Sequence, residues 1–163
     1  MSSVARSSPF DHGRTSATAS TADREYAESL GLGERVELLG DVSRRRSLEL
    51  QRDSEALLLL IPESGGRGRG VLTGKIYEYL AAERPILAVV PPDGAAARLV
   101  RDTGSGTVVP PDDVEAMREA LLDLHRRWRE GSLDDTPLSE DWRRRLARGA
   151  RVEELADVLR SVA

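Results

Sequence analysis

The chain has 163 residues, 39% of them hydrophobic but only 4% aromatic, and a formal net charge of −4. That length supports one domain with a real core, and the acidic balance argues against a general nucleic-acid-binding surface. The lack of cysteine excludes disulfides and thiolate metal sites, no apolar run approaches membrane-spanning length, and the first residues lack the apolar core of a secretory signal.

In chain order, residues 1–22 are poor in apolar side chains and rich in Ser, Thr and Ala, the composition of a disordered or poorly packed lead. A transit peptide is the second reading of that stretch. Residues 22–32 predict a short helix ended by Gly31 and Gly33. Residues 35–39 predict a strand and 40–42 a turn, after which Ser43 caps a helix to about Arg52. Residues 55–61 form a continuous apolar run, the kind of strand buried on both faces of a parallel sheet. A Gly- and Arg-rich loop follows over 62–69. Thr73 is the expected N-cap of the next helix, whose apolar face is Ile76, Leu80, Ala81 and Ala82. Pro85 stops that helix and feeds a strand over 86–90. A helix over 94–102 ended by Gly104, a strand over 106–109, and a helix capped by Asp112 or Asp113 and running to about Arg129 complete the alternation. Residues 131–138 predict a linker. Residues 139–162 predict one final helix, Arg-rich on one face, with Leu146, Val152, Leu155 and Leu159 on the other. Strands alternating with helices predict an α/β fold, a Rossmann-like parallel sheet with flanking helices.

The stretch 70–85 is the focus of the chain. Lys75 is its only lysine; every other basic residue except the two histidines is Arg. A helix start presents unpaired N–H groups and a positive dipole end, which attract phosphate. Lys75 adds a point charge there, and the Glu78 carboxylate, a turn further in, suits two adjacent ribose hydroxyls. The run of glycines over 65–70 is not a Walker loop, because Ile76 and not Ser or Thr follows Lys75. It does not satisfy Gly-x-Gly-x-x-Gly either, and it reads as a mobile loop rather than a specific site; an approach of Arg67 and Arg69 to a diphosphate is the second reading. The Arg44–46 and Arg143–145 runs read as solvated helix faces. His12 and His125 have no companions at ligand spacing, so no metal site is expected, and no catalytic triad can be assembled.

Residues 73–87, Thr-Gly-Lys-Ile-Tyr-Glu-Tyr-Leu-Ala-Ala-Glu-Arg-Pro-Ile-Leu, closely resemble the donor-binding signature of GT-B fold glycosyltransferases of the family 4 type. The segments Gly-Leu-Gly-Glu-Arg-Val-Glu-Leu-Leu-Gly at 31–40 and Thr-Gly-Ser-Gly-Thr-Val-Val-Pro-Pro-Asp-Asp at 103–113 are similar to two more segments of such enzymes. The resemblance implies the second, donor-binding half of a GT-B enzyme, with a partial donor domain over 23–130. It implies transfer of a sugar from a nucleoside diphosphate to an acceptor hydroxyl with retention. The implied donor-binding residues are Gly40 and Val42 near the base, Thr73, Gly74 and Lys75 near the diphosphate, Glu78 on the ribose, and Leu72. The catalytic residue is not assigned, and no cofactor or metal is implied. The implied partners are the nucleotide sugar, an acceptor glycan or lipid-linked sugar, and an N-terminal acceptor domain, with no nucleic acid. The implied place is the cytoplasm, at the inner membrane face where the acceptor is lipid-linked.

Two positions depart from the pattern: Glu83 stands where members usually carry Gly, and Gly70 where many carry a first glutamate. The first two strands of such a donor domain are also not found. In the usual strand order they separate the strand at 35–39 from that at 55–61, so the chain reads as a fragment, marginally folded and inactive alone. A non-catalytic nucleotide-binding or partner-binding remnant is the alternative function. A sugar-nucleotide epimerase ranks last, because its acid/base residues belong to an N-terminal half.

Overall fold

A computed structural model of the chain describes residues 21–63 and 68–162. The expected lead over 1–22 lies almost entirely outside the described residues, as do His12 and Arg67. Helix α1 spans Thr21–Ser29, and a 3-10 turn covers Gly33–Arg35. There follow α2 (Arg44–Asp53), β1 (Leu57–Leu60), α3 (Gly74–Ala82), β2 (Ile86–Val89), α4 (Ala95–Thr103), β3 (Gly106–Val109), α5 (Val114–Arg129), α6 (Glu140–Leu146) and α7 (Arg148–Val162).

The three strands pair in parallel in the order β1-β2-β3, with Leu57 opposite Ile86 and Ile86 opposite Gly106. The sheet is thus the expected Rossmann-like α/β arrangement. Side chains alternate across it, as the period of a strand requires. Ile86, Ala88 and Val90 face one layer, where they meet Ile76 and Leu80 of α3 and Ala96, Ala97 and Val100 of α4. Leu87 and Val89 face the other, against Ala116, Met117, Ala120 and Leu124 of α5. Every residue of β2 is buried, which accounts for its unbroken apolar sequence. Ile76 and Leu80 stand one turn apart on α3, so a single stripe fastens the helix to the sheet. Each contributes about 1.5–3 kcal/mol by leaving water. Gly106 is dictated by the sheet itself, because a Cβ there would lie 1.9 Å from the carbonyl oxygen of Ile86.

Two expectations are corrected. Residues 35–39 are not a strand. After the 3-10 turn, Val36 is extended (φ −114°, ψ 119°), and Val36 and Leu38 are less exposed than Glu37 and Leu39. The alternation is present, but a strand needs a neighbour to take its backbone hydrogen bonds, and none of the described strands pairs with this segment. The C-terminal stretch is two helices, not one, because Ala147 is extended (φ −64°, ψ 139°). The break lets Trp142 and Leu146 pack on the core while the Trp142 indole N–H donates to the Asp102 carbonyl at 3.1 Å. Val152, Leu155 and Leu159 of α7, expected on a face shared with Leu146, are exposed.

Residues 132–139 have no regular structure but are packed. Leu138 is buried, the Thr136 N–H donates to the Glu83 carbonyl at 2.8 Å, and Arg84 pairs with Asp135 at 2.6 Å.

Candidate functional site at the start of helix α3

All three strands run the same way, so their C-terminal ends share one edge, and the helix that follows each strand begins there. In open α/β sheets ligands bind outside that edge. Whether a helix start can receive an anion depends on what already occupies its free N–H groups.

Helix α4 is closed. The Ala95 N–H donates to the Arg69 carbonyl at 2.6 Å, and Gly94 is buried against the same loop. The Arg69 guanidinium is held by Glu63 at 3.0 Å and Asp93 at 3.3 Å. Its side chain, which the second reading of this loop takes to a diphosphate, is therefore engaged locally, in a loop whose described part is tied down at Gly68–Gly70. Helix α5 is closed by the Asp113 carboxylate, which accepts from the Ala116 N–H at 2.9 Å. The capping expectation at 112–113 thus resolves to Asp113, and Ser43 and Ser139 cap α2 and α6 in the same way.

Helix α3 is open. Thr73 has the backbone of an N-cap (φ −78°, ψ 152°), but its hydroxyl makes no capping bond. That hydroxyl is buried and has no hydrogen-bond partner among the described residues. The Ile76 N–H is taken by the Thr73 carbonyl at 3.2 Å. The N–H groups of Gly74 and Lys75 meet no acceptor among the described residues. Around Gly74 there is room: a Cβ built there meets nothing within 4 Å. Lys75 is exposed and forms no ion pair among the described residues, and Leu72 is exposed just before it. The dipole, two amides and an ammonium therefore stand at one exposed helix start, with the Thr73 hydroxyl buried beside them.

Glu78, one turn further in, is gripped by α2. Its Oε1 lies 3.1 Å from an Arg44 guanidinium nitrogen, and its Oε2 accepts from the Gln51 amide at 3.4 Å. Arg44 follows Val42 by two residues, so the ion pair brings the end of the 40–43 loop to Glu78. In that loop Gly40 adopts φ +64° and Val42 is exposed. Burial, and then the charge of Glu78, raise the Tyr79 phenol above its ordinary pKa of 10.0.

The structure thus brings Thr73, Gly74 and Lys75 together and joins Glu78 to the Gly40–Val42 loop through Arg44. Sequence reasoning missed Gln51 and read Arg44 as a solvated face. A signal was available: Arg44, Ser47 and Gln51 stand at helical spacing on one stripe, and α2 turns that stripe toward α3. A groove of about 330 Å³ lies elsewhere on α3, between Tyr77, Leu80, Ala81, Leu138 and Leu146; none of the donors of the open helix start lines it. Among the described residues no group of three or more acidic, His or Cys side chains converges on a metal position, and no helix is long and apolar enough to cross a membrane.

A three-stranded parallel sheet between helices, with one helix start left open at its C-terminal edge, defines a Rossmann-like α/β domain. Residues 13–127 match the family described as Glycosyl transferases group 1, and the chain belongs to that family. No individually curated protein matches the chain.

Proposed function

We propose that the chain is the nucleotide-sugar donor domain of a GT-B glycosyltransferase of the family 4 type, acting with retention. The observation that supports this best is the open start of α3, beside which stands the only lysine of the sequence. The diphosphate of the donor takes the free N–H groups of Gly74 and Lys75, the Thr73 hydroxyl and the Lys75 ammonium. Glu78 accepts hydrogen bonds from the ribose hydroxyls, and the loop carrying Gly40 and Val42 lies beside the base, with Leu72 at the rim. When the bond between the sugar and the diphosphate breaks, negative charge grows on the leaving oxygens. Fixed dipoles and an ammonium aimed there stabilise that charge more in the transition state than in the ground state. The acceptor, a glycan or a lipid-linked sugar, belongs to the other half of such an enzyme, at the cytoplasmic membrane face in the lipid-linked case. No cofactor is assigned.

Calorimetric titration with uridine and guanosine diphosphates tests the reading. One of the two binds, and Glu78→Gln weakens it about tenfold, as loss of a hydrogen bond to a charged group of about 1.5 kcal/mol requires. Failure of the wild-type protein to bind either nucleotide overturns it.

A further inference from the structure

We infer that Gln51 is a positioning residue for Glu78, one that fixes the carboxylate for a ribose diol; the inference rests on the proposed nucleotide site. Gln51 sits on α2, 27 residues from Glu78 in sequence, and is only 9% exposed. Its amide nitrogen lies 3.3 Å from the Ser47 hydroxyl and 3.4 Å from Glu78 Oε2. Reversing the amide would set its oxygen against the carboxylate, so the donor end must face Glu78. That orientation leaves Gln51 Oε1 buried and without a hydrogen-bond partner among the described residues. A buried polar oxygen left in that state weighs against stability, and an apolar side chain of the same length would avoid it. Gln51 is therefore poorly accounted for by packing and well accounted for by its hold on Glu78.

The two oxygens of Glu78 then have different tasks. Oε2 is pinned from the buried side by Gln51. Oε1 pairs instead with Arg44, whose side chain is 73% exposed. A screened surface pair is weak and exchanges readily, so Arg44 is the group a ribose hydroxyl displaces. Gln51 keeps the carboxylate aimed while this exchange takes place. A hydroxyl recognised by a fixed carboxylate is discriminated strongly from its absence, and a carboxylate free to swing discriminates less.

The test compares the nucleoside diphosphate that the wild type binds with its 2′-deoxy form, by calorimetry, in wild type and Gln51→Met. The wild type should prefer the ribonucleotide by about tenfold. Gln51→Met should reduce that preference to about twofold, through weaker ribonucleotide binding alone, without a lower melting temperature. Gln51→Leu, which keeps the volume and removes the donor, should lose the preference too, and it replaces the Met variant should that variant not fold. An undiminished preference in the variants overturns the inference while leaving the nucleotide site standing. So does an equal loss for both nucleotides together with a lower melting temperature, which would make Gln51 merely structural. A wild type that binds both forms equally overturns it as well. A wild type that binds neither ends both readings together.

Discussion

Helices α3 and α4 leave the same sheet edge in the same direction, one strand apart, and begin in opposite states. The start of α4 is filled by the protein's own backbone, with the Arg69 carbonyl on the Ala95 N–H and Gly94 packed beneath. The start of α3 has a cap residue whose hydroxyl caps nothing, a glycine with open space around it, and a lysine with no ion-pair partner among the described residues. Both helices carry the same dipole, so the dipole alone does not select a site. Selection comes from which N–H groups the fold has left unclaimed.

The largest expected effect breaks that comparison by the same substitution at both starts. Gly94→Ala places a Cβ 3.0 Å from the Pro91 carbonyl oxygen and 3.2 Å from that of Arg69. It should lower unfolding free energy by about 2 kcal/mol in urea titrations. Gly74→Ala, with nothing within 4 Å, should change stability by less than about 0.5 kcal/mol and yet weaken nucleoside diphosphate binding. Equal stability losses would show that the two starts do not differ as described.

Lys75→Ala should weaken diphosphate binding about tenfold at low salt, near 1.4 kcal/mol, and less at high salt, because a point charge is screened. Titration at two ionic strengths measures both. Thr73→Val removes a hydroxyl that has no partner among the described residues. Melting temperature should hold or rise, while affinity falls about threefold, near 0.7 kcal/mol. An affinity unchanged by Thr73→Val would place the diphosphate away from this hydroxyl.

The smallest effect concerns the other ends of the same helices. Both finish in the left-handed region, α4 at Gly104 (φ 65°) and α3 at Glu83 (φ 57°). Glycine takes that conformation freely and glutamate does not. Glu83→Gly relieves about 1 kcal/mol of backbone strain and loses an exposed ion pair to Arg143 worth about half of that, so denaturant titration should show a gain of about 0.5 kcal/mol.

How much of this was legible beforehand follows from the range of each interaction. The strands and helices from 57 to 129 were readable because their signals are local: apolar runs of strand length, a Pro after α3, glycines after helices, an Asp before α5. The segment 35–39 misled because alternation describes a strand's faces and not its partner. The positions of Thr73, Gly74, Lys75 and Glu78 on one helix start were readable from spacing. The openness of that start was not. It rests on a Thr73 hydroxyl that makes no capping bond, whereas α4 is closed by the Arg69 carbonyl, and neither fact carries a residue signature. The hold of Gln51 on Glu78 was hidden for a related reason, since it spans two helices whose packing no local pattern specifies.

The end of α3 marked by Glu83 has a consequence for shortened chains. The Glu83 carbonyl receives the Thr136 N–H, its carboxylate receives Arg143, Arg84 reaches Asp135, and Leu138 lies in the core beneath. These fastenings all come from residues 135–143, past the last residue of the family match at 127. A chain trimmed after residue 127 therefore keeps every group of the candidate site and gives up the strap that holds the helix by its tail. Trimming to the family boundary is not neutral: it removes residues that fasten the far end of the helix on which Thr73, Gly74, Lys75 and Glu78 stand.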